Sequence, residues 1–390
     1  MSKLGHAPRA EHVGDYGADE AAMRDYLAQG KQRAHALNHR GPVRYTDDGA
    51  IHPDILSAYW KHGFYVFEGV LRQDELDELR ADVDDMMSRL PTHPGSDVDA
   101  AGRPALAHNC KAPTLFWSKP LGDPFGGTEL ANGRHPVKMH EPTPPADAPD
   151  DVMYLMLGTL QFSDAFLRTY AHPDLLAVAA AVNGDDFVPF ADALFIKEPG
   201  LGASVAWHQD GTTHWDSPTW DQGAHGFNFM GQLYGSTPAN GVWVIPGSHK
   251  LGKVDIKARV AEAGTERLPE AVPMVCAAGD VIISNRQLLH GSFANTSADW
   301  RVTANMGFHR RASVFGVEGG GLHAARAVYD DAHIRQRARV IGYAIDARQK
   351  RFPDETPFKY KPHVESGEAY VWDDEARASM HDYNLLDMSI

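Results

Sequence analysis

The sequence predicts a mainly β protein, an antiparallel sandwich or barrel with helices on its flanks. Two observations carry this. Between residues 186 and 311 short apolar runs, among them FVPFADALFIKEPG, FNFMGQLYG, GVWVIPGSH and WRVTANMGFHRR, alternate with turn residues at the close spacing of antiparallel strands. On either side the apolar period lengthens to that of a helix. Leu76, Leu79 and Val83 show it before the strand region, and Ile334, Ala338, Ile341 and Ile345 show it after.

Taken in order, residues 1–50 are polar and rich in His, Gly and Asp, and read as an N-terminal arm. Residues 20–36 within it are a helical stretch, with Met23, Tyr26 and Leu27 on one side. The main domain is expected over residues 51–311. It opens with HPDILSAYWKHG, a short helix stopped by Gly63, then the aromatic and β-branched strand FYVFEGVL, then the helix around Leu76. Residues 91–150 are dense in Pro and Gly and form a loop insertion, of the length that is usually functional or disordered. A helix ending at Gly184 leads into the strands. Residues 312–390 are a helical extension, the place for a lid or a dimer contact; Arg335, Arg337, Arg339, Arg348 and Arg351 fall largely off its apolar face.

Composition narrows the partners. The 390 residues carry a net charge of -15 and no long Lys/Arg run, which argues against a nucleic-acid binder and against an anionic membrane surface. No stretch approaches the ~18 apolar residues that span a bilayer, and the N-terminus lacks the apolar core of a signal peptide. The two cysteines, Cys110 and Cys276, make no disulfide framework. The expectation is a cytoplasmic protein, monomer or homodimer, acting on a small molecule.

The chemistry concentrates around W-H-Q-D-G at 207–211. On a strand, residues i and i+2 share a face, so His208 and Asp210 reach the same ion. His290 lies 80 positions after Asp210, far enough for intervening strands to return the chain to one pocket. Two His and one carboxylate on one side of a metal are the donor set of non-haem Fe(II) oxygenases. Arg301 falls on the following strand, WRVT. A planar guanidinium that stays charged when buried suits the distal carboxylate of 2-oxoglutarate. Ser292 is placed to donate a second hydrogen bond to it.

The chain resembles the phytanoyl-CoA dioxygenase family. The pieces that carry the resemblance are YWKHGFYVFEGVLRQDELDELRADVD, HPDLLAVAAAVNGDDF, LFIKEPGLGASVAWHQDG, TPANGVWVIPGSHK and AGDVIISNRQLLHGSFANTSADWR, spread over residues 53–310 apart from the 91–150 insertion. The resemblance implies a double-stranded β-helix, a jelly-roll, cupin-like core with helices packed on one side. It implies Fe(II) on His208, Asp210 and His290, 2-oxoglutarate on Arg301 and Ser292, and O₂ as co-substrate. Gln209, between the ligands, is implied near the cosubstrate or substrate. Relatives that halogenate carry Ala or Gly at the carboxylate position. Asp210 therefore implies hydroxylation or a related C–H oxidation, with release of succinate and CO₂.

Three aromatic or imidazole side chains flank the metal segment, Trp207, His214 and Trp215, and are candidates for the substrate pocket. Lys197, on the strand leading to the metal, is a candidate for an anionic group. His249, in P-G-S-H, reads as a structural loop residue. The alternative from another class is a non-oxidative jelly-roll metalloenzyme, an isomerase or hydrolase on Zn or Mn. It has no use for a keto-acid site at Arg301 and Ser292.

Overall fold

A computed structural model describes residues 15–210, 225–319 and 327–387. In chain order its main strands are β1 (Arg40–Gly41), β2 (Phe64–Phe67), β3 (Leu115–Ser118), β4 (Val152–Leu157), β5 (Val188–Lys197), β6 (Val205–His208), β7 (Gly226–Gln232), β8 (Trp243–Val244), β9 (Val272–Pro273), β10 (Val281–Asn285), β11 (His290–Ser292) and β12 (Arg301–His309). They form an eight-stranded sheet in the order β1-β2-β10-β7-β12-β5-β4-β3, facing a four-stranded sheet in the order β6-β11-β8-β9.

The pairing defines the fold. β5 pairs with β12, β6 with β11, β7 with β10 and β8 with β9, all antiparallel. The chain runs out along β5 to β8 and returns along β9 to β12. Each outgoing strand is paired with its returning partner while the pair winds between two sheets. This is a double-stranded β-helix, and it removes most free edges of the inner strands.

Side-chain alternation then sorts the residues. Along β12 the even positions Val302, Ala304, Met306 and Phe308 join the main core, where Leu79, Val83, Leu176 and Ile341 of the flanking helices cover the large sheet. The odd positions Arg301, Thr303 and Asn305 face the space between the sheets. Both faces of β7, β10 and β12 are therefore buried. The helix Pro53–His62 ends at Gly63 with φ 86°, and a Cβ there would lie 2.6 Å from His249 Nδ1. This restricts the position to glycine and leaves His249 as a packing residue.

The helix expected over residues 20–36 spans Glu20–Ala36, and it is more than a peripheral arm. It covers the small sheet: Met23 and Tyr26 are buried with Trp207 and Trp243, and Tyr26 stacks on Trp243 at 4.5 Å. A Cβ on Gly30 would lie 2.1 Å from the Trp243 ring. Gly30→Ala is therefore expected to destabilise the protein by about 1–3 kcal/mol, outweighing the ~1 kcal/mol helix-propensity gain. Urea denaturation of the variant checks this.

The C-terminal segment also differs from expectation. Its 21-residue helix Asp331–Arg351 packs on the helices outside the large sheet. Arg337 and Arg348, expected off the apolar face, are buried in ion pairs with Asp387 and Glu75 at 2.7 and 2.8 Å. No helix among the described residues is long and apolar enough to cross a membrane. Both cysteines are free.

Candidate metal centre and its cavity

His208 ends β6 and His290 begins β11, and the two are direct cross-strand partners with ring centroids 4.1 Å apart. Asp210 follows β6 by two residues, its backbone N–H donating to Arg286 O at 2.9 Å. His208 Nε2 lies 3.4 Å from Asp210 Oδ1, and His290 Nε2 lies 4.0 Å from Oδ2. One ligand atom from each residue falls within 4.8 Å of the others, the spacing of donors around one ion.

The tautomers suit a metal. His208 Nδ1 lies 2.8 Å from Ala206 O and His290 Nδ1 lies 2.8 Å from Leu288 O. Each Nδ1–H thus has an acceptor, and each Nε2 lone pair is turned to the common point. Burial, with neighbouring His208, pushes the His290 imidazole down to about 4, so it is neutral at pH 7. Burial alone would raise the Asp210 carboxyl. The charges of Arg286 and Arg134 reverse that and hold it well below the usual range. The donor set is thus two imidazoles, each with Nε2 toward the common point, and a carboxylate, which fits Fe(II).

The same cavity reaches Arg301, Ser292 and Thr303. Arg301 is buried, and among the described residues no carboxylate pairs with it. Its Nε and the Ser292 Oγ make no hydrogen bond there. Burial pushes Arg301 down to about 10, which leaves it charged at pH 7. A desolvated cation beside an idle hydroxyl is costly unless an anion arrives. The distal carboxylate of 2-oxoglutarate fits this pair. Phe195, Leu155, Leu157 and Met230 supply apolar walls.

Three residues expected at the pocket are placed elsewhere. Trp207 points to the outer face of the small sheet, its Nε1–H donating to Glu266 O at 2.8 Å. Gln209 is occupied by backbone partners: its Nε2 donates to Gln287 O at 2.7 Å and its Oε1 accepts from Val254 N at 2.8 Å. Both follow from the alternation that turns His208 and Asp210 inward. Lys197 faces inward opposite Arg301 but does not line the cavity, because its Nζ donates to Phe293 O at 2.5 Å. His214 and Trp215 lie outside the described residues.

Other wall residues carried no sequence signal. Phe125, Arg134 and His135 come from the 91–150 insertion. That segment is folded back by Asp123, whose carboxylate accepts from Gly126 N at 2.9 Å and Met139 N at 2.8 Å. The His135 ring lies against that of His208, tilted by 34°, with centroids 4.2 Å apart. Asn228 links Arg286 to Asp210, accepting from Arg286 Nη1 at 3.2 Å and donating to Asp210 Oδ2 at 3.5 Å. No described residue of 312–387 lines the cavity.

Fold and donor set together define a double-stranded β-helix with the metal face of the non-haem iron oxygenases. Residues 147–303 match the family model for phytanoyl-CoA dioxygenase (PhyH), and this part of the chain is a PhyH-family domain. The family implies Fe(II), 2-oxoglutarate and O₂. The chain is 34% identical to phytanoyl-CoA dioxygenase 1 of Oryza sativa subsp. japonica over 26% of this chain and 37% of that protein. It is 24% identical to phytanoyl-CoA dioxygenase of Arabidopsis thaliana over 65% of this chain and 87% of that one. The match to the rice protein thus spans well under half of its length. The crystal structure of EctD from S. alaskensis with 2-oxoglutarate and 5-hydroxyectoine superposes with a TM-score of 0.47 at 19% identity, over 80% of this chain and 87% of that one.

Proposed function

We propose that the protein is an Fe(II)- and 2-oxoglutarate-dependent dioxygenase that hydroxylates, or otherwise oxidises, a C–H bond of a small organic substrate, releasing succinate and CO₂. The observation that carries this is the conjunction of two features in one buried cavity. One is the His208–Asp210–His290 donor set, and the other is Arg301, with no ion-pair partner among the described residues, together with Ser292. A metal-dependent isomerase or hydrolase would use the first and gain nothing from the second.

When bound, the metal and keto acid supply O₂ activation coupled to oxidative decarboxylation, chemistry that no side chain here could provide. The protein supplies position. His208, Asp210 and His290 hold the metal from one side, with the imidazoles locked by Ala206 O and Leu288 O. Arg301 and Ser292 anchor the far carboxylate of the keto acid, which sets its reach toward the metal. Leu155, Leu157, Phe195 and Met230 keep water from the reacting atoms.

Anaerobically purified protein given Fe(II), 2-oxoglutarate and air is expected to convert the keto acid slowly to succinate even without its substrate, and faster with it. Screening candidate substrates by the rise in succinate then identifies the substrate. Hydrolysis or isomerisation supported by Zn(II) or Mn(II), with no succinate under any condition, would reverse the proposal.

A further inference from the structure

The cavity holds a second buried arginine that the chemistry above leaves unused. Arg134 is 5% exposed, and its Nε and Nη2 make no hydrogen bond among the described residues. Its one carboxylate neighbour among the described residues is Asp210, with Nη1 a long 3.5 Å from Oδ1, and a bound metal claims that carboxylate. Burying a guanidinium with two idle donors is unfavourable unless a ligand completes them.

Charge points the same way. Among the described residues the cavity wall carries Arg134 and Arg301 against Asp210 alone, and Arg286 stands buried behind Asp210. Fe(II) and dianionic 2-oxoglutarate cancel each other, so loading both leaves the positive excess in place. Arg301 and Ser292 already serve the keto acid, so the surplus belongs to a different molecule.

Position identifies that molecule as the primary substrate. Arg134 also lines an outer groove formed with Gly133, Pro136, Gln209, Lys253 and Lys257. A compound entering along this groove meets Arg134 before the metal. The residue comes from the 91–150 insertion, the part of the chain that departs from the family pattern.

Resting on the dioxygenase reading, we infer that Arg134 is a substrate-recognition residue, and that the primary substrate carries an anionic oxygen group, a carboxylate or phosphate, held by its Nε and Nη2. The guanidinium fork fixes this group and so presents a chosen C–H to the metal.

The test uses the full chain loaded anaerobically with redox-silent Co(II) and 2-oxoglutarate, read by the Co(II) visible spectrum. Two matched pairs, phenylacetate with phenylacetamide and benzoate with benzamide, are titrated in. The carboxylates are expected to perturb the spectrum saturably, at least about tenfold tighter than the amides. Arg134→Gln is expected to erase that preference while Co(II) and 2-oxoglutarate still bind. Arg134→Lys, which keeps the charge, is expected to retain part of it. Absence of a preference in the wild type, or its persistence in Arg134→Gln, overturns the inference. Weakening of 2-oxoglutarate or Co(II) itself by Arg134→Gln also overturns it, by placing Arg134 on the cosubstrate or on Asp210. Failure of the wild type to form any Co(II)–2-oxoglutarate complex is a separate result: it removes the dioxygenase reading and the inference together.

Discussion

Asp210→Ala is expected to abolish Fe(II) binding in the cavity and also to destabilise the metal-free protein by about 3–5 kcal/mol. The first effect follows from the donor set. Two imidazoles remain, and without the carboxylate they hold a divalent ion weakly. The second follows from the surroundings. Asp210 is buried between Arg134 at 3.5 Å and Arg286, which reaches it through Asn228. Among the described residues it is the one carboxylate on a cavity wall that also carries Arg134 and Arg301. Removing it leaves buried guanidinium groups with no counter-charge. Metal titration and urea denaturation of the apo-protein read the two effects separately. A variant as stable as the wild type would mean that solvent screens these arginines.

Arg301→Ala is expected to behave in the opposite way in the metal-free protein. It should lose 2-oxoglutarate affinity by about 2–5 kcal/mol, because a charged group with a dedicated partner in a desolvated pocket is removed. Its stability should be unchanged or higher, because Arg301 is buried with no ion-pair partner among the described residues and its Nε is idle. Arg301→Lys keeps the charge but loses the planar fork and should fall between. Isothermal titration of the Co(II)-loaded protein with 2-oxoglutarate gives the affinity, and thermal melting of the apo-protein gives the stability. A loss of stability with no loss of affinity would assign Arg301 to the scaffold instead.

The opposed stability effects come from one feature that the sequence could not show, the excess of buried cations around a single carboxylate. The grouping of the candidate metal ligands is legible because strand geometry is periodic. His208 and Asp210 share a face by the alternation of a strand. His290 and Arg301 fall on later strands that return to the same cavity, His290 directly opposite His208 and Arg301 on the large sheet. Alternation carries a further signal: if His208 faces the cavity, Trp207 and Gln209 face away from it. Lys197 is a different case. Its register does turn it inward, and only the Phe293 carbonyl, 96 residues distant, ties it down.

Arg134, His135 and Phe125 were illegible for another reason. They lie in a Pro- and Gly-rich segment with no apolar period, where position is set by contacts such as those of Asp123 with Gly126 and Met139. The N-terminal helix illustrates an intermediate case. Its length was readable from Met23, Tyr26 and Leu27, but its docking on Trp243 depends on the missing side chain of Gly30.

The most direct measurement is an anaerobic titration of the metal-free protein with Fe(II) and 2-oxoglutarate, followed in the visible spectrum. A weak charge-transfer band that needs both components, saturates with the metal and fades in Arg301→Ala and Asp210→Ala is the expected result. No band, together with tight binding of Zn(II) or Mn(II) that is indifferent to the keto acid, would contradict a cavity built for Fe(II) and 2-oxoglutarate.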